Sequence, residues 1–296
     1  MGCLSYRGWI RARSTWRIEP RDFLIAVLFF GTFYDSCTAV TVFVAHDGAF
    51  HPPMASYFIS DVHLGLGSYL EEKQKEDRLL AFLRAIQPTA ERLFIVGDLF
   101  DFWFEYRTVI PKGFHRTLAL LQDFTDHGVA VEYLLGNHDY WMDDFFEKEI
   151  GITIRPKPYE TLLEGKRIYL HHGDGLATHD LGYKLIKPVL RNKAAIFAYR
   201  WLHPDLGVKL AHRSSRTSRT YTSQKHYGEE EGMKLYAAKL IDQGVDVVVM
   251  GHRHQPTLTA IGNGTYVNLG DWISHATYGR FALGQMRLET WNGKME

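Results

Sequence analysis

The sequence predicts an α/β fold. Short β-branched or aromatic runs end in turn residues, helical patterns lie between several of them, and polar side chains gather where the runs stop. The expected strands are Tyr57–Ser60, Leu93–Val96, Ala130–Leu135, Arg167–His171, Val245–Met250 and Thr265–Leu269. In open α/β sheets, ligand sites form beyond the carboxyl ends of the strands, so residues remote in sequence can converge there. The 296 residues suffice for one large domain or two small ones.

In chain order, residues 1–53 differ from the rest. Arg7, Arg11, Arg13, Arg17 and Arg21 precede an apolar stretch from Phe23 to Ala45, interrupted by Asp35. A bilayer crossing takes about 20 apolar residues, which this stretch supplies. Its basic flank would keep the N-terminus cytoplasmic. The stretch has no clear small-x-small cleavage site, which disfavours a signal peptide. Met54 directly precedes the first expected strand. Residues 1–53 are therefore expected to be an extension outside the fold: an upstream artefact of the translation start, a membrane segment, or a soluble arm. Residues 54–296 are expected to form the catalytic domain. Both cysteines, Cys3 and Cys37, fall in the extension, so no thiolate serves the remainder, as fits a reducing compartment.

The first strand ends in Asp-Val-His, with Asp61 and His63 two apart in a loop. Leu79, Leu80, Phe82, Leu83 and Ile86 then recur at helical spacing. The second strand ends in Gly-Asp-Leu-Phe-Asp, which places Asp98 at a tight turn. Phe100, Phe102, Trp103, Phe104 and Tyr106 follow, and are expected to pack behind the site, with contact to an acyl chain or a base as the alternative. Leu118, Leu121 and Phe124 mark a second helix that stops near Gly128. The third strand ends in Asn137, His138 and Asp139. The fourth ends in His171 and His172, which point to opposite faces of a strand. Only one can face the site, and His172 adjoins the Gly-Asp turn.

The segment Asp180 to Arg219 breaks the alternation. It reads as two or three helices mixing apolar residues (Leu185, Ile186, Val189, Ile196, Phe197, Tyr199, Trp201) with basic ones. The chain has 34 basic and 34 acidic side chains, so its total charge says nothing about partners. The local excess does: Lys184, Lys187, Arg191, Lys193, Arg200, Lys209, Arg213, Arg216 and Arg219 face the lone acid Asp205 between Leu181 and Arg219. An insertion at about 180–219 would stand over the site as a helical cap suited to an anion with an apolar tail; ordinary helical packing is the alternative. A third helix opens with Glu229, Glu230 and Glu231 and stops at Gly244, as the helix dipole and a glycine C-cap favour. The next strand ends in Gly-His-Arg-His, which supplies His252 and His254.

Oxygen and imidazole donors without thiolate suit two divalent ions and hydrolytic chemistry at phosphorus. Asp98 is the expected bridge, since a carboxylate has two oxygens. Asp61, His63 and His254 would hold one ion, and Asn137, His172 and His252 the other. Mn²⁺, Fe²⁺ and Zn²⁺ all fit such donors. His138 is the expected general acid or charge stabiliser, with Asp139 orienting its ring. The remaining histidines, His127 and His275 among them, are expected at the surface or satisfied in the core.

Together these five blocks resemble the calcineurin-like metallophosphoesterase superfamily, over about Tyr57 to Trp272. Within it, several segments look like the branch that cleaves UDP-2,3-diacylglucosamine in lipid A biosynthesis. They are Ser60–His63, Gly97–Asp101, Gly136–Asp139, His172–Gly175 continuing to Asp180 and Tyr183, the helical insertion, Gly251–His254 and the Gly270-Asp271-Trp272 turn. The resemblance implies a four-layer αββα sandwich with a helical cap. It implies hydrolysis of the substrate's diphosphate to UMP and 2,3-diacylglucosamine 1-phosphate, with Mn²⁺ as the metal. It also implies an acylated UDP-sugar as partner, a peripheral seat on the cytoplasmic face of the inner membrane, and no nucleic acid. Substrate contacts are implied at Asn137, His138, Asp180, Ser214 and Arg216. Well-known members of that branch carry arginine where this chain has His138, the residue of the wider superfamily. Two other functions compete: a phosphodiesterase or phosphatase for a soluble phosphoester, and a non-catalytic scaffold. An apolar cap would distinguish the first, and loss of some ligands the second.

Overall fold

The computed structural model describes residues 53–176, 192–211 and 229–295. The expectations for the N-terminal extension, and for Asp180, Ser214 and Arg216, lie outside the described residues.

The first half alternates strand and helix: β1 (Ala55–Ile59), α1 (Tyr69–Ile86), β2 (Ala90–Val96), α2 (His115–Asp126), β3 (Ala130–Leu134) and β4 (Thr153–Arg155). The hairpin β5 (Tyr159–Leu163) and β6 (Lys166–His171) follows, then α3 (Lys193–Arg200), α4 (Glu229–Asp242) and β7 (Val247–Met250). Two hairpins close the chain: β8 (Thr257–Ile261) with β9 (Gly264–Asn268), and β10 (Thr277–Ala282) with β11 (Gln285–Thr290). One sheet has the order β11-β10-β1-β2-β3-β4 and the other β5-β6-β7-β9-β8. Strands β1 to β4 are parallel to one another, as are β6, β7 and β9, so the carboxyl ends in each sheet share one edge.

Alternate side chains along each strand build three separate cores. Tyr57, Ile59, Leu93, Ile95, Val131 and Tyr133 face α1 and α2. Phe58, Phe94, Val96 and Leu134 face the other way and meet Ile168, Leu170, Val247, Val249 and Val267 of the second sheet. Val248, Met250 and Tyr266 pack on Met233, Ala237 and Ile241 of α4. This is the four-layer αββα sandwich. Strands buried on both faces are apolar at nearly every position, which is why they stand out in the sequence. Between the sheets, Phe58 and Phe94 stack with centroids 4.8 Å apart.

Ser68 starts α1 with a capping box: its hydroxyl accepts from the Glu71 amide, and the Glu71 carboxylate accepts from the Ser68 amide at 2.8 Å.

Every expected strand is present with ends shifted by up to three residues, the largest shift being the start of β2 at Ala90 rather than Leu93. The sequence did not reveal β4, β5, β8, β10 and β11. Three of these, β5, β8 and β11, alternate exposed and covered residues at sheet margins, so they lack continuous apolar runs. β4 has only three residues, and β10 is interrupted by Gly279 and Arg280.

The aromatic run after β2 splits between two surroundings. Phe100 and Trp103 pack into the core with Phe114 and Phe146, as expected. Phe102 and Phe104 turn instead toward the cap, meeting Tyr199 of α3 at 6.4 and 4.8 Å, and Trp141 joins them 4.7 Å from Tyr199. Arg200 adds an ion pair to Asp143 at 2.8 Å. Of the cap, α3 and a further helical stretch at 204–211 are described.

Candidate metal centre

Five loops meet where the carboxyl edges of the two sheets come together. Asp61 and His63 follow β1, Asp98 follows β2, Asn137 and His138 follow β3, His172 follows β6, and His252 and His254 follow β7. Asp61, His63, Asp98, His252 and His254 all adopt positive φ, at 54°, 49°, 56°, 72° and 57°. Each such non-glycine residue costs on the order of 1–3 kcal/mol and persists only where its surroundings enforce it. The enforcement is visible in the hydrogen bonds. The Asp61 amide donates to the Gly97 carbonyl at 3.2 Å, and the His63 amide to the Asp98 carbonyl at 3.0 Å. The His252 amide donates to Asp61 Oδ2 at 2.7 Å and the His138 amide to Asp98 Oδ1 at 2.9 Å. The backbones approach so closely that a Cβ on Gly136 would collide with the Asp98 carboxylate, and one on Gly251 with Ser60 and Asp61.

The donor atoms form two clusters joined by a third, overlapping group of His63, Asp98 and His138. In the first, His254 Nε2 lies 3.3 Å from Asp61 Oδ1 and 3.2 Å from His63 Nε2. In the second, His172 Nε2 lies 3.1 Å from Asn137 Oδ1 and 3.2 Å from Asp98 Oδ2, and His252 shares this group with Asp98 and His172. Asp98 Oδ2 also stands 3.7 Å from His63 Nε2, so it faces both clusters. This differs from a bridge through both carboxylate oxygens: Oδ1 is taken by the His138 amide, and Oδ2 alone looks both ways.

The residues fit divalent metal. Asp61 Oδ1 and His63 Nδ1 are buried with no hydrogen-bond partner. A buried polar atom left unpaired costs about 1–3 kcal/mol, and more when charged, whereas an ion seated among the donors would satisfy the carboxylate. His172 Nδ1 lies 2.8 Å from the Val96 carbonyl, to which it donates, so Nε2 is the nitrogen turned toward the cluster. Burial opposes charge on this ring, but the Asp98 carboxylate outweighs it and raises the ring well above its ordinary range, so a bound ion would replace a proton at Nε2. Burial pushes the His252 ring down to about 4, with the neighbouring His172 acting in the same sense, so it stays neutral as a ligand must. Burial acts to raise Asp98, but His172 and His138 outweigh it and hold the carboxyl well below its ordinary range.

His138 sits at the edge of the clusters, its ring 4.8 Å from that of His63. Its Nδ1 lies 3.0 Å from the backbone carbonyl oxygen of Asp101, to which it donates. The expectation that Asp139 orients this ring is thereby corrected. The Asp139 carboxylate accepts from the Tyr133 hydroxyl, the Gly136 amide at 3.0 Å and the Phe100 amide at 3.4 Å. It shapes the turn that carries Asn137 and His138, pointing away from the ring it was expected to hold. Burial pushes His138 below its ordinary range, against the Asp98 carboxylate, which acts to raise it.

Two contributions escaped the sequence. Asp101 supplies the carbonyl for His138, and its Oδ1 lies 3.6 Å from His63 Nδ1. Asp271 lies behind the first cluster, its Oδ2 3.8 Å from His254 Nδ1 and 3.0 Å from His275 Nδ1. His275 therefore belongs to this surround. The second aspartate of Gly-Asp-Leu-Phe-Asp and the Gly270-Asp271-Trp272 turn were the available signals. His171 turns back to accept from the Gly173 amide at 2.7 Å, which leaves His172 as the histidine facing the cluster.

The profile of the calcineurin-like phosphoesterase family matches residues 54–256, the stretch that carries all five loops. The chain belongs to that family. As a calcineurin-like phosphoesterase it is a hydrolase, and its clustered donors are those of a divalent-metal enzyme. It is 33% identical over 244 residues to a UDP-2,3-diacylglucosamine hydrolase of Porphyromonas gingivalis, covering 75% of this chain and 92% of that one. A protein of the same name from Stenotrophomonas maltophilia is 30% identical over 251 residues, covering 80% of this chain and 98% of that one. A third, from Pseudomonas fluorescens, is 31% identical over 223 residues, covering 72% and 86%.

Proposed function

We propose that the chain hydrolyses the diphosphate of UDP-2,3-diacylglucosamine to UMP and 2,3-diacylglucosamine 1-phosphate, a step of lipid A biosynthesis. Support comes from relatives named for that substrate, each matched over most of its length. The observation that carries the substrate class is the apolar surface of the cap. Phe197, Trp201, Leu206 and Leu210 are 57%, 76%, 61% and 57% exposed. A phosphoesterase for a soluble ester has no need of such a surface, whereas acyl chains do. The aromatic contacts of Tyr199 tie α3 to the loops that follow β2 and β3, and so to the metal cluster.

In this proposal Asp61, His63 and His254 would hold one ion and Asn137, His172 and His252 the other, with Asp98 placed to serve both. When bound, divalent ions there supply activation of water and neutralisation of charge for attack at phosphorus. Mn²⁺ is the proposed metal, and Fe²⁺ or Zn²⁺ would meet the same donors. The chain's own part is to fix these donors in strained turns and to present His138 beside them. With Nδ1–H held by the Asp101 carbonyl, His138 would exchange protons through Nε2: the neutral ring accepts one there, and only the protonated ring donates it to a phosphoryl oxygen or a departing group. Asn137, His138, Asp180, Ser214 and Arg216 are the proposed substrate contacts. The proposed catalytic domain is 54–296, with its cap at about 180–219. The proposed location is the cytoplasmic face of the inner membrane. No helix among the described residues is long and apolar enough to cross a membrane, and the proposed contact is peripheral, through the cap.

The test is Mn²⁺-dependent release of UMP from UDP-2,3-diacylglucosamine, compared with the unacylated sugar nucleotide. A strong preference for the acylated substrate is expected. Equal rates on both would reject the lipid assignment.

A further inference from the structure

Resting on the two-ion reading above, we infer that Glu72 and Lys75 form a clamp that holds His63 in its metal-binding geometry. Asp61 and His63 are two apart, and both must present donors to one ion. The backbone achieves this with both residues at positive φ, a conformation that side chains other than glycine rarely adopt. Something must prevent the loop from relaxing to an ordinary turn.

Helix α1 supplies it from below. Lys75 is 7% exposed, and its Nζ donates to the carbonyl oxygen of His63 at 2.5 Å. Glu72, one turn earlier on the same face, accepts from Lys75 at 2.9 Å. The same carboxylate accepts from the Gly65 amide at 2.6 Å and the Gly67 amide at 2.6 Å. Three backbone groups of the 63–67 loop are thus gripped by one ion pair, and the Ser68 capping box fixes the turn that carries it. Burying a lysine is costly unless it is paired and hydrogen-bonded, and an apolar side chain would fill this place more cheaply. The charge is explained by the carbonyl it grips. Neither Lys75 nor Glu72 is among the clustered donors. They are positioning residues, acting through His63 in the way that outer partners of metal ligands commonly do.

The experiment is calorimetric titration of the metal-free full-length protein with Mn²⁺, alongside the visible absorption of the Co²⁺ form. Four proteins are compared: wild type, Lys75→Met, Glu72→Gln and Leu83→Ala. Leu83→Ala destabilises the same helix without touching the clamp. Lys75→Met is expected to weaken one of the two ions by about 10–100-fold and to alter the Co²⁺ bands, leaving the other ion in place. Glu72→Gln is expected to shift the same ion in the same direction by less, and it serves alone if Lys75→Met does not fold. Leu83→Ala is expected to keep both affinities despite a lower Tm. Unchanged affinities in both clamp variants would overturn the inference, as would equal weakening of both ions in Lys75→Met and Leu83→Ala. A wild type that binds no ion would overturn the two-ion reading itself, and the clamp with it.

Discussion

His138 Nδ1 donates to the backbone carbonyl of Asp101 at 3.0 Å, while the carboxylate of its sequence neighbour Asp139 accepts from the Tyr133 hydroxyl instead. A backbone carbonyl can only accept, so the ring's tautomer is set, and Nε2 is the nitrogen left for chemistry.

His138→Ala removes that nitrogen but leaves the backbone amide that holds Asp98 Oδ1. The variant is expected to keep its full metal content and to lose about 10²–10⁴-fold in kcat. Elemental analysis and turnover on one preparation check both parts, and loss of metal would make His138 structural instead.

Asp139→Asn should behave differently. Three donors converge on this carboxylate, and an amide would turn NH₂ toward at least one of them. Each buried donor left unpaired costs about 1–3 kcal/mol, so a stability loss of about 2–4 kcal/mol is expected in urea denaturation. Activity should fall together with the loop order. A variant as stable as wild type but inactive would return Asp139 to a direct chemical role.

Gly136→Ala tests the close approach at Asp98. The added methyl collides with the carboxylate that faces both clusters. Overpacking typically costs about 1–3 kcal/mol, and here the strain falls on the shared ligand. Metal content is expected to drop below that of wild type at equal free Mn²⁺, as read by elemental analysis after gel filtration.

The site's membership was legible because it sits on strands buried from both sides. Phe58, Phe94 and Val249 face the core between the sheets, while Ile59 and Ile95 face the core under α1 and α2 and Val248 faces that under α4, so those runs stay apolar throughout and their ends are plain. The internal geometry was not legible. Whether Asp98 offers one oxygen or two depends on the His138 amide, and the direction of Asp139 depends on the conformation of its turn. Residues adjacent in a tight turn diverge, which defeated the expectation for Asp139. The margin strands escaped for the converse reason: β8 and β11 alternate polar and apolar residues, without a run to mark them.

The cap can be tested apart from the metals. Replacing Trp201, Leu206 and Leu210 together with serine removes apolar surface worth about 1.5–3 kcal/mol per side chain if it is buried by substrate. The KM for UDP-2,3-diacylglucosamine is expected to rise at least about 10-fold, with little change toward a small soluble phosphodiester such as bis-p-nitrophenyl phosphate. Equal loss on both substrates would assign these residues to folding.

The most direct measurement is Mn²⁺ titration of the metal-free protein, wild type against Asp98→Asn. Two ions per wild-type chain are expected, with both affinities weakened by at least about 10-fold in Asp98→Asn, because one oxygen faces both donor clusters. A single ion per chain, or an Asp98→Asn protein that binds both ions as tightly as wild type, would contradict the account.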